Sequence, residues 1–210
     1  MVKREIELFV PGRLCLFGEH SDWAGEFRRK NSGVERGYTI VAPTNQGTYA
    51  KVRKREDRKI VVNANLENRV LFFSADLELD ALKAEAKKDS LFNYMAGVAY
   101  YIVERYHNGH IGGVEIESHT TLPVKKGLSS SASICVLTAR TFNCLYGLKI
   151  SPRGEMDLAY KGENLTNSRC GRMDQACAYQ SPVLMTFDED GMDLKEMKVG
   201  KEMNMVIVDL

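Results

Sequence analysis

Paired cysteines, tryptophan, histidine, surplus charge and long apolar runs are all scarce in this 210-residue chain. Each scarcity closes off a class of protein. The five cysteines are an odd number with no C-x-x-C pair, which argues against a disulfide framework or a zinc site and for free thiols in a reducing compartment. Apolar neighbours make Cys15, Cys135, Cys144 and Cys177 candidate core residues. A formal net charge of +1 gives no reason to expect a nucleic-acid or membrane-surface partner. No run approaches the roughly 18 apolar residues of a membrane span. The N-terminal MVKREIELFV lacks the apolar stretch and cleavage site of a signal peptide and reads as an opening strand, so the cytoplasm is the expected compartment. Internal repeats and low-complexity tracts are absent as well.

What is present suits a globular chain with a proper core: 44% hydrophobic and 27% charged residues. Strand signals fill the first third, at Val10, 14–17, 38–42, 47–52, 60–64 and 70–73, separated by glycine, asparagine and charged clusters. The period then changes. Leu91, Tyr94, Met95, Val98, Tyr101 and Ile102 form a helical stripe that ends near Asn108-Gly109, and 114–117 alternate as a strand. A second helix is predicted from the serine cluster through Ile134, Leu137, Thr141 and Leu145, with Gly147 as its stop. Ser151-Pro152 supplies an N-cap and first-turn proline for a third helix towards Glu163. A short helix from Asp174 and strands at 183–187 and 205–208 complete a pattern of strands first and helices later, which is α+β rather than alternating βαβ.

Three stretches carry chemistry. In LPVKKGLSSSAS (122–133), a glycine and three serines precede a helix. Unpaired N–H groups at a helix start bind phosphate, and hydroxyls suit phosphate oxygens or Mg²⁺. Lys125 and Lys126 add charge beside Gly127, Leu128, Ser129, Ser130 and Ser131; an ordinary serine N-cap is the alternative. This is not a Walker loop, because no lysine stands between the glycine and the serines. In PGRLCLFGEHSDWAG (11–25), Glu19, His20 and Asp22 crowd a turn after a strand, well suited to the hydroxyls of a sugar. Arg13 is placed to meet the charge of a transferring phosphoryl group; a solvated polar turn is the alternative, and a metal site made of the three lacks helical spacing. In RCGRMDQACAY (169–179), Asp174 follows a glycine-containing turn and is suited to accept a hydroxyl proton, or to cap a helix, while Glu163 is a candidate Mg²⁺ ligand.

In this order the stretches resemble the GHMP small-molecule kinase superfamily, nearest its galactokinase-type sugar kinases. Residues 12–22 match the signature G-R-x-x-L-x-G-E-H-x-D, 123–132 resemble P-x-G-x-G-L-S-S-S-A, and CGRMDQ resembles the segment holding the catalytic aspartate. The resemblance implies Asp174 as catalytic base with Arg13 as its charge partner, and Glu19, His20 and Asp22 on sugar hydroxyls. It places Lys126 to Ser131 on the phosphates of ATP, and Ser131 and Glu163 on Mg²⁺. It implies a ribosomal-protein-S5-domain-2-like fold, a mixed sheet with helices packed on it and a left-handed βαβ feature. The whole of 1–210 would be the N-terminal domain, with a C-terminal domain and the family's glycine-rich third motif missing.

Two motif positions differ: Lys125 replaces a glycine and Trp23 a tyrosine. The basic stretch from Glu26 to Arg36 reads as a solvated loop, with contact to an acidic sugar such as a uronate as the alternative. The expectation is an ATP-dependent sugar kinase acting on the anomeric hydroxyl of a galactose-, arabinose- or uronate-like substrate. A sugar- or ATP-binding sensor and an inactive fragment completed by a separate chain are the alternatives.

Overall fold

The computed structural model describes residues 5–66, 69–106, 111–123, 126–201 and 204–206. Its frame is a long antiparallel pair, β1 (Ile6–Phe17) on β2 (Gly37–Arg55). The two runs predicted at 38–42 and 47–52 are therefore one 19-residue strand. Pro43 sits between them without breaking it, because β2 uses its second edge only at its ends. There β6 (Val183–Asp188) pairs with Gly37 to Val41, and β5 (Gly113–Thr120) with Thr48 to Arg55. At Pro43 only β1 is hydrogen-bonded, so the missing N–H costs no second ladder.

The hairpin β3 (Lys59–Leu66) and β4 (Arg69–Asp76) extends the sheet beyond β5, and β7 (Gly191–Glu196) extends it beyond β6. The order is β4-β3-β5-β2-β6-β7, with β1 on the opposite edge of β2. β3 and β5 run parallel. A crossover containing β4, α2 (Leu79–Ala86) and α3 (Asn93–Arg105) joins them, so the sheet is mixed, as expected.

Alternate strand residues such as Ala50, Val52, Ile60, Val62, Val114 and Ile116 are buried in one core with α3, α4 (Ser130–Tyr146) and α5 (Pro152–Leu165). Both helix limits follow from local chemistry. The Ser151 hydroxyl accepts the Gly154 N–H with proline in the first turn, and Gly147 ends α4 in the left-handed region. α4 is fastened to the frame by the buried Ser133 hydroxyl, 3.1 Å from the Val10 carbonyl and 2.9 Å from the Thr48 hydroxyl. α3 and α5 cross at Gly97 and Gly162, where a Cβ on Gly97 would lie 2.2 Å from the Gly162 carbonyl oxygen. That close crossing sets the depth of Glu163.

Several expectations change. Residues 24–30 form a helix, α1 (Ala24–Lys30), not a solvated loop. Its Arg28 pairs with Asp188 at 2.7 Å, Arg29 with Asp190, and Arg36 with Asp188 at 2.7 Å. These arginines clamp the β6–β7 turn and none lines the cleft described below, which removes the basis for a uronate contact. Cys144 is exposed rather than in the core, and Cys15 is half-buried, whereas Cys135 and Cys177 are buried as expected. The strand expected at 205–208 is irregular at 205 and 206, and its remainder lies outside the described residues, as does Lys125.

Candidate active site

Arg13 organises the site. It leaves the middle of β1 into a buried position, 6% exposed, and one guanidinium nitrogen donates to Asp174 while another donates to Glu19 at 3.1 Å. Burial alone would lower its pKa, but the carboxylates of Asp174 and Glu19 more than offset this and the net shift is upward. Arg13 therefore stays charged. Its backbone N–H also donates to the Leu128 carbonyl at 3.2 Å, which ties the arginine to the glycine-serine loop. The Leu128 side chain itself is buried, so this residue anchors the loop.

That loop is wound unusually. Gly127 has φ 76° and Ser129, just before α4, has φ 56°, both left-handed. Ser129 makes no side-chain capping bond, and its buried hydroxyl has no partner. A simple serine cap is thus excluded. The left-handed turn instead leaves a polar group and the first amides of a 17-residue helix open to a ligand.

The Asp174 turn (Asp174–Ala178) is a tight 3-10 turn rather than an α-helix. Asp22 reaches it from the other side: its carboxylate accepts the Met173 N–H at 3.4 Å. A Cβ on Gly171 would lie 1.7 Å from the same carboxylate oxygen, so any larger residue there would displace the Asp22 carboxylate. Burial raises the Asp22 carboxyl above its ordinary value, the Met173 amide opposes this, and neighbouring Asp174 reinforces it.

Arg13, Glu19, His20, Asp174, Lys126, Gly127, Ser129, Ser130 and Ser131 all line one cleft of about 900 Å³. Leu66, Leu71, Leu91, Phe92 and Ile134 supply apolar lining to the same cleft. Asp22 and Glu163 stand behind its lining. Glu163 is 2% exposed, and burial pushes its carboxyl up; hydrogen bonds from Ser131 and Gln175 oppose the shift. Among the described residues no lysine or arginine pairs with it, and no group of three metal-ligating side chains occurs.

Residues 93–181, from the start of α3 past the Asp174 turn, match the model of the GHMP kinases N terminal domain. The chain is 36% identical over 178 residues to a galactokinase from Clostridium acetobutylicum and 34% over 173 to one from Ligilactobacillus salivarius. Over residues 93–181 the chain is similar to the GHMP kinases. The matches cover 82% and 81% of this chain and 41% of each relative, so the chain spans well under two thirds of their length. The crystal structure of Lactococcus lactis galactokinase complexed with galactose superposes with a TM-score of 0.71 at 25% identity, covering 93% of this chain and 48% of that one. Methanococcus jannaschii mevalonate kinase, at 18% identity and TM-score 0.69, shares the fold alone.

Sequence reasoning missed three residues of this site. Gly171 and Gln175 were in plain view beside Asp174, but their roles depend on what they touch across the fold. Arg140, unremarked within the α4 stretch, donates to Glu155 at 2.8 and 2.9 Å, to the Ala178 carbonyl at 2.7 Å and to the Phe9 carbonyl at 3.3 Å. It pins the end of the Asp174 turn to α4, α5 and β1.

Proposed function

We propose that this chain forms the sugar- and ATP-binding site of a cytoplasmic sugar kinase that passes the γ-phosphoryl group of ATP to the anomeric hydroxyl of galactose. The observation that carries this reading is the contact between Arg13 and Asp174, 161 residues apart in sequence, in the same cleft as the glycine-serine loop. The galactokinase relatives support galactose over the arabinose and uronate alternatives.

In this reading the substrate hydroxyl lies against Asp174, which takes its proton as the oxygen attacks phosphorus. Arg13, held charged by its two carboxylates, faces the developing negative charge. Glu19 and His20 fix the remaining hydroxyls, with Asp22 holding the Asp174 turn behind them, so that most of the catalysis is positioning. Gly127, Ser129, Ser130 and Ser131 hold the phosphates with α4 amides, beside Lys126. The apolar wall of Leu66, Leu71 and Phe92 receives the base.

Ser131 and Glu163 fit Mg²⁺: a hydroxyl that stabilises a buried carboxylate, which among the described residues has no cationic partner. With only these two protein oxygens, the remaining ligands come from phosphate and water. When bound, the ion neutralises charge on the phosphates.

The test is ADP release from Mg-ATP with galactose, arabinose, glucuronate, other hexoses or mevalonate as acceptor, with Asp174→Asn alongside. Galactose-dependent release that falls by a factor of about 10²–10⁴ in the variant supports the proposal. Absence of release with every acceptor favours a binding module that does not turn over.

A further inference from the structure

Gln175 follows Asp174 directly but points the other way. Asp174 reaches Arg13 at the cleft, whereas the Gln175 side chain is fully buried. Its amide nitrogen donates to Glu163 Oε2 at 2.9 Å and lies 3.3 Å from Cys170 Sγ, while its Oε1 is buried with no partner. Packing does not call for such a residue: an apolar side chain of similar length would fill the space and leave no orphaned oxygen. What the amide does is hold one oxygen of Glu163. The Ser131 hydroxyl also stabilises that carboxylate, so Glu163 stands between the first turn of α4 and, through the Gln175 amide, the backbone next to Asp174.

We propose that Gln175 is a positioning residue that fixes the Glu163 carboxylate for the divalent cation accompanying the nucleotide, and so ties cation binding to the turn that carries Asp174. The inference rests on the kinase reading above. Hydrogen-bonding partners of metal ligands commonly govern metal affinity by about 10–100-fold when removed.

Calorimetric titration of ADP, with excess Mg²⁺ and separately with EDTA, tests this on the chain itself, without turnover. Wild type is expected to bind ADP more tightly with Mg²⁺, and Glu163→Gln to lose most of that gain. Gln175→Met, which keeps the volume and removes the donor, is expected to lose on the order of 10-fold of the gain. Its affinity in EDTA should stay within about twofold of wild type, well inside the tenfold loss expected with Mg²⁺. Gln175→Asn, which draws the amide back by one methylene, serves if the methionine variant does not fold. A full Mg²⁺ gain in the Gln175 variant, lost in Glu163→Gln, would overturn the inference and leave the kinase reading standing. Equal weakening with and without Mg²⁺ would overturn it too, as a mere packing effect. Wild type that gains nothing from Mg²⁺ would bring down the kinase reading and the inference together.

Discussion

A carboxylate surrounded by neutral donors is the least comfortable group in a folded chain, and Glu163 holds that position here. Burial raises its carboxyl above the unfolded value, so the folded chain favours the protonated form. The stability linked to that proton is fully present below the unfolded pKa and is lost as pH rises through the folded one. At neutral pH without a cation, therefore, the charged group weakens the fold relative to a neutral isostere. Glu163→Gln should melt higher than wild type at pH 7 in EDTA, by about 2–4 °C for each kcal/mol recovered in a chain of this size. The gap should close below about pH 4, where both side chains are uncharged. Thermal melts across that range decide it. A variant less stable at every pH would show that the anion is a structural asset. The same residue scale accounts for Ser129, whose left-handed backbone and unpaired hydroxyl are features a ligand would relieve.

Elements deliver these residues to one place, and Arg140 shows how strongly. Its side chain crosses from α4 to Glu155 on α5 and continues to carbonyls of β1 and of the Asp174 turn. Glu155 is 4% exposed and also accepts from Asn143 at 2.9 Å. Arg140→Met strands that carboxylate, so a loss of about 3–5 kcal/mol is expected in urea unfolding. Replacing both residues with methionine should return most of it, because no buried charge is then left alone. If the double variant is as unstable as the single one, the pair holds the fold by more than mutual compensation.

Legibility in the sequence divides along the same line. α4 and α5 were readable because each has a sustained apolar stripe and end signals, Gly147 for one and Ser151-Pro152 for the other. α1 and α2, at seven and eight residues, are too short for a stripe to register, and α1 looked like a loop because its arginines find acids far along the chain. Pro43 suggested a break in β2 that one-sided pairing makes unnecessary. Motif residues were visible as chemistry, whereas Gln175, Gly171 and Arg140 gain their roles only from contacts made across the fold.

At the scale of the whole molecule, the cleft joins parts of the chain far apart in sequence. One wall is β1, the glycine-serine loop and the Asp174 turn; the other is the β3–β4 hairpin and the start of α3. A ligand that touches both walls favours the folded state over every partly opened one, and its effect on stability follows from mass action alone. Mg-ADP at one hundred times its dissociation constant should add about 2.7 kcal/mol. For a domain of this size that is a rise in melting temperature of roughly 5–11 °C. If Asp174 meets the acceptor rather than the phosphate loop, as proposed, Asp174→Asn should keep that nucleotide-dependent rise while losing galactose-dependent ADP release. Scanning fluorimetry with Mg-ADP, galactose, and the two together reads out the binding side of this comparison on both proteins. A rise retained alongside lost turnover separates binding from chemistry and assigns the proton transfer to Asp174. A rise lost in the variant would mean that Asp174 and Arg13 hold the cleft in shape, and the catalytic role would have to pass to another group.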